Sequence, residues 1–105
     1  MILQKPVYFD GKQVRTVRLD ENTVWFSVVD VCDALHVELG EALAHVRSEG
    51  YRQIPMTSPT QGSQMLDVIP TVGVLRVMAL ADHDLAHLFL SWLYYDVFEK
   101  VYIHK

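Results

Sequence analysis

A chain of 105 residues is long enough for one hydrophobic core and too short for two, so it reads as a single domain over residues 1–105. Half of the residues are apolar and 21% are charged, a globular balance that excludes a disordered chain, while the net charge of −4 gives no general attraction for nucleic acid. The lone cysteine, Cys32, excludes an internal disulfide, and Lys5 and Pro6 break the start before a signal-peptide core. No run reaches the ~18 apolar residues of a membrane span, so a cytoplasmic protein without membrane contact is expected.

The first segments are extended. Pro6 to Phe9 is a short strand, Asp10-Gly11 is a strong hairpin signal, and Gln13 to Leu19 supplies the return. Asp20-Glu21-Asn22 turns the chain into a third strand, Thr23 to Phe26. In this meander Val17 and Leu19 are expected inward and Arg18 outward, and the phase mismatch of Val14 and Val17 allows a bulge.

Val24 to Leu35 is the stretch around which the rest is organised. Trp25 and Phe26 favour a strand, Ser27 is an N-cap, and Asp30 completes a capping-box-like start. The pattern then changes from a period of two to about 3.6, so Val28, Val31, Cys32 and Leu35 form a stripe that packs on the sheet carrying Trp25. That position makes Cys32 a buried small hydrophobe.

His36 and Val37 interrupt the helix, and Glu38 to Ser48 forms a second, with Leu39, Ala42, Leu43 and Val46 on one side and Gly50 as its stop. Tyr51 to Met56 and Gln64 to Ile69 read as a hairpin joined by a long, exposed, mobile loop over 57–63. Pro70 suits the first turn of a third helix, Val72 to Leu80, and Asp82 caps a last helix from His83 to near Lys105. The fold class is α+β: an N-terminal antiparallel β-meander, two short helices, a β-hairpin and two C-terminal helices.

The last helix carries more apolar side chains than one face can hold. Leu85, Phe89, Trp92 and Leu93 suffice to anchor it, which leaves Leu88, Leu90, Tyr94, Tyr95, Phe98 and Tyr102 over at ~3.6 residues per turn. Leu88, Tyr94, Tyr95, Phe98 and Tyr102 are therefore candidate oligomer or partner-interface residues. A homodimer would cover them; the other arrangement is a central helix wrapped by its own domain.

Catalytic signals are weak. His83 and His87 lie four apart on one helical face, as in zinc-protease helices, but a third ligand is missing and Asp84 would replace the usual Glu, so a solvated first turn is the reading. Ser91, Tyr94, Tyr95 and Asp96 lack a paired base, and no nucleophile elbow or phosphate-cradling glycine loop occurs. The expectation is a non-enzyme without metal or cofactor. Among the nine basic residues, Lys12, Arg15 and Arg18 share the second strand and its turn, and with Arg47 and Arg52 they form the candidate DNA-binding set.

The order of elements, with a meander ending in Trp-Phe and Asp-Val-Cys-x-Ala-Leu opening a helix, resembles the N-terminal domain of the BRO family, also found in prophage antirepressors. The residues that carry the likeness are Phe9, Gly11, Val14, Arg15, Val17, Trp25, Phe26, Asp30, Val31, Cys32, Ala34 and Leu35. Gly62 and Gln64 then fit a polar turn before a strand, Gly73 and Leu75 the following helix, and Ala86, Phe89, Trp92 and Val97 the closing one. The resemblance implies a viral or prophage regulatory module that binds duplex DNA in transcription control and is often joined to a C-terminal domain. Two stretches depart from it: Thr71-Val72-Gly73 replaces a Glu-Ser-Gly opening, and Ala81-Asp82-His83-Asp84 replaces a basic turn with an acidic one. The alternative is a protein-interaction module that binds a repressor or host factor through its apolar last helix, without DNA.

Overall fold

A computed structural model describes residues 3–18, 23–47, 50–58 and 62–97. Strands β1 (Leu3–Phe9), β2 (Lys12–Arg18) and β3 (Val24–Ser27) lead into helices α1 (Val28–Leu35) and α2 (Leu39–Val46). The hairpin β4 (Arg52–Ser58) and β5 (Gly62–Pro70) follows, then α3 (Thr71–Met78) and α4 (His83–Trp92). This is the expected α+β class, with all strand pairs antiparallel in the order β1-β2-β3-β5-β4.

The first hairpin closes on a two-residue turn in which Asp10 (φ 51°) and Gly11 (φ 79°) are both left-handed, the geometry whose twist matches the strands. Pairing then runs unbroken from Phe9↔Lys12 to Leu3↔Arg18, so β2 carries no bulge. Val14 and Val17 are out of phase because the sheet is apolar on both faces: Val14 belongs to the main core and Val17 to a smaller cluster with Ile54, Leu66 and Val68. Arg18 is half-buried opposite Val24 rather than pointing outward. Leu19 and the turn at 20–22 lie outside the described residues. Pro6 and Pro55 sit on β1 and β4, the two edge strands, where the missing N–H discourages further pairing.

β3 passes straight into α1. Ser27 is extended (φ −62°, ψ 120°) and its hydroxyl accepts from the Asp30 N–H at 3.3 Å. The stripe Val28, Val31, Cys32 and Leu35 is buried, but it packs on the sheet face of Phe26, which is 0% exposed. Trp25 is half-buried on the opposite face against the smaller cluster, because neighbours in a strand alternate sides. α1 ends at His36 in the left-handed conformation (φ 57°), a region that His tolerates better than most side chains.

Glu38 caps α2, its carboxylate accepting from the Glu41 N–H at 2.7 Å. Ala42 and Val46 are buried and Leu43 is partly so, while Leu39 is exposed, contrary to its expected place on the packed side. The expected end at Ser48 lies outside the described residues. The second hairpin is longer than expected, since pairing continues to Ser58↔Gly62. The span 57–63 is thus largely strand, and its centre, 59–61, lies outside the described residues. Pro70 is the N-cap of α3 rather than a first-turn residue. At Gly73 a Cβ would stand 2.9 Å from the Ile69 Cβ, so only glycine lets α3 pack this close to β5.

α4 is seated by aromatic packing. Phe9, Phe89 and Trp92 contact one another with ring centroids 4.9 to 5.4 Å apart, and the Trp92 indole N–H donates to the Tyr8 carbonyl at 2.7 Å. The α-helix gives way after Trp92 to one π-helical turn over 93–97, which buries Leu93 and Val97. Residues 98–105 lie outside the described set, including Phe98 and Tyr102.

Candidate functional site

The five candidate DNA contacts are not gathered in one place. Arg15 on β2 reaches Asp30 in the first turn of α1: its Nε donates to Oδ2 at 2.7 Å, its Nη2 to Oδ1 at 2.9 Å, and its backbone N–H to Oδ2 at 2.8 Å. The Asp30 carboxylate therefore faces β2 rather than returning to the Ser27 N–H. With side chains 32% and 13% exposed, the pair is partly desolvated. The Asp30 hydrogen bonds, reinforced by its charge, raise the Arg15 pKa against the opposing effect of burial.

One helical turn on, the Lys12 ammonium donates to the Asp33 carbonyl at 3.2 Å and stands 4.0 Å from its carboxylate. Lys12 and Arg15 on the strand thus match Asp33 and Asp30 on the helix. This two-rung arrangement fastens β2 to α1, with the inner rung stronger because the outer one is solvated.

Arg52 takes a different environment. Its guanidinium lies 5.1 Å from the Trp25 ring centroid, a cation–π contact that spans β5 on one face of the sheet. Arg52 pairs with Val68 and Val68 with Ser27; Arg15, one residue on from the Thr16–Phe26 pair, extends the same row. Arg15 and Arg52 therefore share the face of Trp25, with two strands between them, about 14 Å apart at normal strand spacing. Lys12 and Arg18 fall on alternate positions of β2, and Arg47 is exposed at the end of α2. No local signal in the chain pairs Trp25 with Arg52, since only the sheet order brings them together.

Of the candidate interface residues, Leu88 lies on α4, and Tyr94 and Tyr95 lie on the π-helical turn that follows it. Leu88 (60% exposed), Tyr94 (66%) and Tyr95 (69%) are all at the surface, together with Leu90, and the two tyrosine rings make an edge contact at 5.4 Å. Phe89, Trp92, Leu93 and Val97 turn inward. Buried and exposed apolar side chains thus alternate along α4 and the turn after it.

His83, Asp84, His87 and Leu88 line a shallow depression at the start of α4. Among the described residues no group of three or more His, Cys, Asp or Glu side chains is disposed to hold a metal ion. Cys32 is buried, and desolvation aided by the charge of Glu38 pushes its thiol up to about 11. A thiol held protonated in this way is a packing group and a poor nucleophile. No described helix is long and apolar enough to cross a membrane.

No curated protein and no solved structure matches the chain significantly. The family model described as the BRO family, N-terminal domain, matches residues 13–99, a span that takes in β2 after Lys12, the strand-to-helix junction with its Arg15–Asp30 pair, the second hairpin and α4. That domain is associated with phage antirepressor-like regulatory proteins. With the match covering most of the chain and the expected order of elements in place, the chain belongs to the BRO family as an N-terminal-type domain.

Proposed function

We propose that the chain is a non-catalytic regulatory domain of the phage antirepressor type that grips a protein, a repressor or a host factor, through the exposed apolar side chains of α4 and the turn that follows it. The observation that supports this most is the exposed set Leu88, Leu90, Tyr94 and Tyr95 on α4 and the turn after it, a segment that buried Phe89, Trp92 and Leu93 anchor. Large aromatic and aliphatic side chains left at a surface are the types enriched at interface centres. The acidic net charge and the engagement of Arg15 and Lys12 by Asp30 and Asp33 agree with it, because cations so matched project little field. The test is recovery of a partner from a lysate by the intact chain and by a Tyr94→Lys, Tyr95→Glu variant of equal melting temperature. A partner retained by the first and lost by the second is expected; equal recovery would contradict the reading.

A second reading, duplex-DNA binding in transcription control, draws support from the row that places Arg15 and Arg52 on the face of Trp25. In it Lys12, Arg15, Arg18, Arg47 and Arg52 contact phosphates, and log affinity falls with log salt at a slope of about −0.9 per phosphate neutralised. Either partner would be met in the cytoplasm of the host cell.

A further inference from the structure

We propose that His83 and His87 of α4 form half of a divalent transition-metal site, which a second copy of the chain completes. Both imidazoles are exposed, neither makes a hydrogen bond or ion pair with a described residue, and a spacing of four sets them one above the other on the helix. Asp84 lines the same depression and adds the negative charge that a dication favours. Two imidazoles leave half of a tetrahedral zinc shell unfilled, and the described residues of one chain offer no third ligand. An identical pair related by a two-fold axis through the metal fills it. Leu88 adjoins His87 in the depression and is 60% exposed, so the same symmetric contact covers an apolar side chain that one chain alone leaves in water. His45, exposed on α2 without another histidine one turn away, makes a control.

The inference shares Leu88 with the proposed partner surface, but its test is independent of that reading because it needs only the chain and a metal. The experiment is sedimentation of the intact protein in EDTA and then with zinc added, with cobalt(II) as a spectroscopic probe. The expected result is a twofold increase in mass at one zinc per two chains, reversed by EDTA, and the visible absorption of tetrahedral cobalt. His83→Ala and His87→Ala should each abolish the increase while His45→Ala keeps it. An unchanged mass at saturating zinc, one zinc bound per chain without association, or a dimer that persists in EDTA or in His87→Ala would each overturn the proposal.

Discussion

Arg15 is the basic residue whose surroundings say most about its work. Three hydrogen bonds to one carboxylate tie β2 to the first turn of α1, and charged hydrogen bonds of this kind contribute ~1.5–3 kcal/mol. Arg15→Ala should therefore lower stability by about that amount in urea denaturation, and Asp30→Asn should cost a comparable amount with the two effects far from additive. Additive losses would show that the pair does not act as a unit. Cys32 makes the other residue-scale prediction. Its thiol, ordinarily ionised near 9.0, stays protonated to about 11 in the folded chain, so the unfolded chain gives up this proton first. The contribution is complete below pH ~9 and is lost as pH rises toward 11. Subtracting the pH–stability curve of Cys32→Ala should reveal a decline in that window; identical curves would contradict burial of the thiol.

At the scale of elements, the strand-to-helix junction separates two aromatic neighbours. Phe26 lies in the main core and Trp25 is half-buried on the other face, so Phe26→Ala should cost ~3–5 kcal/mol and Trp25→Ala distinctly less. Equal shifts in melting temperature would show that the faces are not divided in this way. The element types, the Asp10-Gly11 turn and the Ser27 cap were legible because each rests on local chemistry: a left-handed pair, a hydroxyl reaching its own helix, a change of period. Three features were not. Val14 and Val17 suggested a bulge because alternation assumes one wet face, and both faces of this sheet are apolar. The Asp30 carboxylate looked like part of a cap, since nothing local names Arg15, fifteen residues earlier, as its partner. The Arg52–Trp25 contact depends on strand order, which periodicity does not encode.

For the whole molecule, the question is which surface meets a partner. The candidate cations are divided among a sheet face, alternate strand positions and a helix end, and two of them are matched by aspartates. Leu88, Leu90, Tyr94 and Tyr95 are exposed along α4 and the turn that follows it, and this surplus was visible in the sequence from the count of apolar residues alone. The helix that the aromatic trio fixes to the first hairpin thus presents its remaining side chains as a rigid surface, which lowers the ordering cost of an interface. The most direct measurement is titration of labelled, fragmented duplex DNA with the pure protein at low and high salt. The account predicts no saturable complex at either salt; a tight complex that weakens steeply with salt, and disappears in Arg18→Ala with Arg52→Ala, would contradict it and favour the nucleic-acid reading.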